Sequence, residues 1–143
     1  MKKMLDYQIS ADKIHATLVQ IDGCGVLLIG ASGSGKSDTA LRLIENKQAV
    51  LVADDVVVLV VENGRLFGSP AENIAGMLEV RGVGLVPYPY CPHAPVDLAV
   101  HLLSTPEDVV RFPQINTENI FGVEIPLSEI IFINTNKNNN LNN

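Results

Sequence analysis

The chain has 143 residues, of which 47% are hydrophobic and 18% charged. That is the size and balance of one globular core, and it excludes both wholesale disorder and a two-domain organisation. Ten Lys and Arg against sixteen Asp and Glu leave a formal charge of −6, which argues against a general nucleic-acid binder, because such proteins displace phosphate counterions with cationic side chains.

Ile14 to Ile21 alternates loosely, is rich in β-branched residues and ends at Asp22-Gly23, so it predicts a strand entering a turn. Val26 to Ile29 reads as a short strand buried on both faces. Further on, Ala40, Leu41, Leu43 and Ile44 share one helical face while Arg42, Glu45 and Lys47 face outward, which predicts a helix from Lys36 to about Asn46. Val50 to Ala53 and Val56 to Val61 are two more strands. Asn63-Gly64 tolerates positive φ at both positions of a tight hairpin, so Arg65 to Phe67 should pair back.

Ser69-Pro70 predicts the start of a short helix through Met77, with Ser as cap and Pro in the first position. The prolines between Pro87 and Pro95 predict a loop, after which Val96 to Leu103 resumes as a strand. Residues 136–143 are almost all Asn and are expected to be a disordered tail, leaving residues 1–135 as one domain. No repeat is visible, which excludes a solenoid. Nor is any apolar stretch suited to a signal peptide or a membrane span, so a cytoplasmic setting is expected.

Between the strand ending at Ile29 and the helix beginning at Lys36 lies Gly30-Ala31-Ser32-Gly33-Ser34-Gly35-Lys36-Ser37, which fits G-x-x-x-x-G-K-[ST] in its required setting. Glycines let successive backbone N–H groups converge on a phosphate, and the helix N-terminus adds the positive end of its dipole. Lys36 is then expected to reach the β- and γ-phosphates and Ser37 to reach Mg²⁺. A guanine-specifying Asn-Lys-x-Asp is missing, since Asn136-Lys137 is followed by Asn138-Asn139; the loop chemistry alone leaves the base open.

Asp54 and Asp55 follow the strand Val50 to Ala53. If that strand neighbours the one feeding the loop, both carboxylates arrive beside the terminal phosphate, one toward Mg²⁺ and the other as acceptor of a proton from an incoming hydroxyl. Taken alone, an Asp pair merely ends a strand. Glu79 and Arg81 fall on one side of an extended stretch that closes with Gly82 and Gly84, where the carboxylate could ligate the metal and the guanidinium could meet phosphate. An exposed ion pair is the plainer reading of that segment by itself. Cys24 and Cys91 are too far apart for a disulfide framework, and Cys91, His93 and His101 offer three ligands at spacing that does not suit zinc. Tyr88 and Tyr90 are loop aromatics, as a docking surface or simply exposed.

Four blocks in order then resemble one family, HPr kinase/phosphorylase: His15 through Gly30, Gly33 through Leu41, Leu51 through Asp55, and Leu78 through Gly84. The resemblance implies an α/β fold, a single P-loop domain with a β-rich mixed sheet similar to phosphoenolpyruvate carboxykinases. It implies an ATP- and Mg²⁺-dependent protein-serine kinase acting on the phosphocarrier HPr. In that likeness Asp55 is the general base, Asp54 supports it and the metal, Glu79 joins Ser37 as metal ligand, His15 is the active-site histidine, and Arg111 is the later catalytic arginine. The chain is similar to the short, kinase-domain-only forms of alphaproteobacteria, and without the family's C-terminal Gly-Arg-Asn segment the kinase direction is expected over phosphorolysis. A homo-oligomer, typically a hexamer, is implied. Two other readings use the same residues: a nucleotide-sensing module without chemistry, and a kinase for another acceptor.

Overall fold

The computed structural model describes residues 12–103 and 116–131; the expected tail and Arg111 lie outside them. Among the described residues are twelve strands and one α-helix. They are β1 (Lys13–Ile14), β2 (Thr17–Ile21), β3 (Cys24–Ile29), α1 (Lys36–Lys47), β4 (Val50–Ala53), β5 (Val57–Glu62), β6 (Arg65–Pro70), β7 (Met77–Val80), β8 (Gly84–Pro87), β9 (Ala94–Pro95), β10 (Leu98–Leu103), β11 (Asn116–Ile120) and β12 (Val123–Ile131).

Six strands form the main sheet in the order β11-β12-β10-β3-β2-β4, mixed in direction: β10 runs parallel to both β3 and β12, whereas β2 is antiparallel to β3 and β4. A four-stranded sheet, β1-β5-β6-β9, covers one face of it, while α1 and the β7–β8 hairpin cover the other. The period of two along each strand sorts the side chains between two cores. Leu18, Leu27 and Ile29 point to the layer between the sheets, and Val19, Val26 and Leu28 point beneath α1. Burial on both faces is why these strands read as unbroken apolar runs. Gly68 lies where the two sheets pack closely: a Cβ there would lie 2.5 Å from Leu18 Cδ2 of the larger sheet and 2.9 Å from Val57 Cγ1 of its own.

Three hairpins turn on consecutive positive-φ residues, Asp22-Gly23, Asn63-Gly64 and Phe121-Gly122, the backbone that matches the twist of two-residue β-hairpins. The first two were legible as Asp-Gly and Asn-Gly. The third was not, because Phe is a poor residue for that position, and the β11–β12 hairpin it joins was not anticipated.

Several expectations need correction. The predicted strand from Ile14 to Ile21 is broken at His15-Ala16: Ile14 pairs with Val57 in the smaller sheet, and only Thr17–Ile21 joins the larger one. Strand β4 does not neighbour β3, since β2 is inserted between them. Ser69 and Pro70 do not open a helix; they complete β6 against Val58 and Val57, and a single 3₁₀ turn, Glu72–Ile74, follows. The helix signal lost to tertiary pairing, with Pro70 tolerated at the last position of its strand. The proline run contains the end of β8, all of β9 and a bridge from Tyr90 to Leu51.

Candidate functional site

Strand β3 ends at Ile29 and the chain turns at once into the glycine loop, whose last residue, Gly35, caps α1 with φ of 97°. At Gly30 a side chain is excluded on steric grounds: a Cβ would sit 2.5 Å from Ser34 Oγ and 2.7 Å from the Leu102 carbonyl oxygen. The loop is thus pressed against β10, with Ser34 buried inside and its hydroxyl without a partner among the described residues. Lys36 Nζ donates to the carbonyls of Gly30 at 2.9 Å and Ala31 at 3.1 Å, so the ammonium lies over the loop it follows. Its burial lowers the Lys36 pKa from the ordinary lysine value, a shift that the Asp54 and Asp55 charges partly oppose.

The Asp54 carboxylate gathers three donors. Oδ1 accepts the hydroxyls of Thr17 and Ser37, each at 2.8 Å, and Oδ2 accepts the Glu79 amide at 3.0 Å. Strand β4, the N-terminus of α1, strand β2 and strand β7 therefore converge on one side chain, which is only 6% exposed. Asp55, the next residue, is turned away from this centre. Its φ is 69°, and Val56 N–H donates to the Asp54 carbonyl at 2.8 Å, a three-residue turn of the strained hand. Ala16 N–H holds the Asp55 carbonyl at 3.2 Å. The result is an Asp55 side chain 77% exposed, with His15 Nδ1 at 3.9 Å from its Oδ1.

A cleft of about 880 Å³ opens over these groups. Its floor is Ser32, Gly33, Gly35, Lys36 and Ser37, its back wall Thr17, Asp54 and Asp55, and its far wall the β7–β8 hairpin with Glu79 and Arg81. Arg81 Nη2 stands 3.6 Å from Asp38 Oδ2 in the first turn of α1, where a carboxylate is favoured by the helix dipole. So Arg81, which lies in the turn after β7 and not on one extended stretch with Glu79 as expected, pairs with Asp38 across the cleft. The structure brings together the glycine loop, Lys36, Ser37, Asp54, Asp55 and Glu79, with His15 beside Asp55 at the edge.

Thr17 was missed. A polar residue between buried Ala16 and Leu18, at a core position of a strand, was its only sequence signal. The residues set aside for zinc are engaged elsewhere. His93 stacks on Phe67 with centroids 4.7 Å apart and meets Ser69 and Glu62, and buried His101 faces Glu129 at 3.4 Å. Among the described residues no group of three or more His, Cys, Asp or Glu could hold a metal. Neither is any helix there long and apolar enough to cross a membrane.

This sheet-rich α/β fold is similar to that of a solved structure, the Hpr(Ser) kinase/phosphatase from Coxiella burnetii. The two agree with a TM-score of 0.78 at 29% identity, over 91% of this chain and 97% of that one. The family model for the HPr serine kinase C-terminal domain matches residues 8–141. The chain belongs to that family. Among curated relatives, the HPr kinase/phosphorylase of Mycoplasma genitalium is 33% identical over 133 residues, covering 85% of this chain and 42% of the relative. That of Clostridium tetani is 47% identical over 77 residues, covering 54% and 25%. The chain thus spans about a quarter to two-fifths of the length of these relatives.

Proposed function

We propose that this chain transfers the γ-phosphoryl group of ATP to a serine hydroxyl of the phosphocarrier HPr, with Mg²⁺ as cofactor. The observation that carries the reading is the Ser37–Asp54 hydrogen bond at 2.8 Å, set beside Lys36 in the cleft over the glycine loop. It ties the hydroxyl of a G-K-S sequence to an acidic side chain at the end of a different strand, the pairing that Mg²⁺-nucleotide sites require. The fold is read as the P-loop arrangement similar to phosphoenolpyruvate carboxykinases.

The donors fit the cation. Mg²⁺ is held by one or two protein oxygens together with phosphate and water, not by an all-protein cage. Ser37 would hold it with Glu79, while Asp54, its oxygens already occupied by hydroxyl and amide donors, would act through Ser37. Bound there, the ion supplies neutralisation of charge on the β- and γ-phosphates.

The remaining roles belong to the chain itself. Backbone N–H groups of Gly30, Ala31, Ser32, Gly33, Ser34 and Gly35 cradle phosphate oxygens, and Lys36 exchanges its two carbonyl acceptors for them. Asp55, exposed at the cleft, accepts the proton of the incoming serine, and His15 at 3.9 Å orients that carboxylate. Arg111, outside the described residues, adds positive charge to the transferring group. The reading extends to a homo-oligomer in the cytoplasm working in the kinase direction.

The test is to incubate the protein with ATP, Mg²⁺ and purified HPr and to look for phosphoserine by mass spectrometry. Phosphate on one HPr serine is expected. ATP binding with neither transfer nor hydrolysis would instead make the chain a nucleotide-sensing module, and transfer to a different acceptor would retain the chemistry while removing HPr.

A further inference from the structure

We infer that Thr17 is a positioning residue for the Mg²⁺ site, holding Asp54 in the one orientation in which Ser37 can present its lone pairs to the cation. The inference rests on the nucleotide reading above and adds to it a residue that never touches the ligand's metal directly.

Thr17 is fully buried, and it sits on β2, which pairs with β3 on one side and β4 on the other. It is held in register with Leu28 of the strand that feeds the glycine loop, and the next residue, Leu18, pairs with Ala53, which immediately precedes Asp54. Its β-branched side chain has little χ1 freedom. From that fixed point the hydroxyl donates to Asp54 Oδ1 at 2.8 Å, the same oxygen that accepts from Ser37 Oγ at 2.8 Å.

The consequence follows from hydroxyl chemistry. A serine has one proton and two lone pairs. While Ser37 gives its proton to Asp54, both lone pairs face the cleft; if Asp54 rotates away, the proton is free to turn toward the cation position, where it repels. Ser37 lies at the start of α1 and Asp54 just past the end of β4, so neither is held in place by the other's element. Thr17 is the anchor between them. A buried carboxylate that loses one of its donors also has reason to move toward another.

The test is calorimetric titration of wild type, Thr17→Val and Thr17→Ser with a non-hydrolysable ATP analogue, with and without Mg²⁺, alongside thermal melts. Wild type should bind more tightly with Mg²⁺. Thr17→Val should lose about tenfold of that Mg²⁺-dependent gain, as expected for one hydrogen bond to a charged group, with its Mg²⁺-free affinity nearly unchanged. Thr17→Ser, which keeps the hydroxyl and drops a methyl, should restore the gain even if it melts lower. In an Asp54→Asn background, Thr17→Val should cost no further Mg²⁺ dependence. An unaltered Mg²⁺ gain in folded Thr17→Val, or equal loss in Thr17→Ser, overturns the positioning role and leaves the nucleotide site standing. Absence of any Mg²⁺ gain in wild type overturns the nucleotide reading itself.

Discussion

The Ser37 hydroxyl and the Asp54 carboxylate meet at 2.8 Å from positions 17 residues apart, one at the start of α1 and the other beyond the end of β4. The adjacent Asp55 points elsewhere, exposed and beside His15. Two neighbouring carboxylates thus occupy different environments, and their substitution should have different effects.

Asp55→Asn removes the proposed proton acceptor but none of the contacts around Ser37. Phosphoryl transfer should fall about 10²- to 10⁴-fold while affinity for an ATP analogue with Mg²⁺ stays close to wild type. Asp54→Asn should do the reverse first, weakening the Mg²⁺-dependent part of binding. Equal loss of binding in both variants would show that the two side chains are not divided in this way.

Lys36→Met deletes an ammonium that rests on the Gly30 and Ala31 carbonyls. Because the desolvation of the ammonium offsets these two hydrogen bonds, the melting temperature should change little, whereas triphosphate affinity should drop about tenfold or more, equivalent to about 1.4 kcal/mol per factor of ten. A titration in which ATP binds Lys36→Met as tightly as wild type contradicts the role given to this residue.

Gly30→Ala places a methyl group where Ser34 Oγ and the Leu102 carbonyl already are, at 2.5 and 2.7 Å. The loop must shift off β10, at a cost of about 1–3 kcal/mol, and denaturant unfolding should register it. Gly33→Ala is the comparison: its Cβ would meet nothing within 4 Å, but its φ of 83° makes it strained for backbone reasons alone, with a smaller expected loss of about 1 kcal/mol. Identical stability of Gly30→Ala and wild type would contradict the close packing of loop on strand.

Asp97 joins three segments: it accepts from Gly25 N–H at 3.0 Å and from Arg65 Nη2 at 2.9 Å, and it lies beside Cys24. Partial burial pushes its carboxyl pKa up, but the Arg65 and Gly25 hydrogen bonds outweigh that and hold it below the usual carboxylate value; burial, and then the neighbouring Asp97, push the Cys24 thiol up. Since the folded form of Asp97 binds its proton less readily than the unfolded form, its contribution is fully present above the unfolded carboxylate pKa of about 3.9. It is lost as pH falls below that. Asp97→Asn should therefore be less stable than wild type at neutral pH, with the difference narrowing below about pH 4. A stability gap that persists unchanged into acid would assign the effect to something other than this charge.

Much of the local architecture could be read before any coordinates. Asp22-Gly23 and Asn63-Gly64 announce their hairpins because they are the residues that accept positive φ, and the glycine loop announces itself between an apolar strand and an amphipathic helix. These are short-range constraints, written in neighbouring residues. Tertiary structure decided everything that depends on which strand lies beside which. The insertion of β2 between β3 and β4, the diversion of Ser69-Pro70 from a helix start into β6, and the anchoring of Asp54 by Thr17 are all set by backbone pairing and burial between distant segments. Such contacts leave no periodicity in the chain: an Asp-Asp pair looks symmetrical in the sequence, and only the positive φ at Asp55 and the buried donors around Asp54 leave one carboxylate held in the interior and the other exposed beside His15.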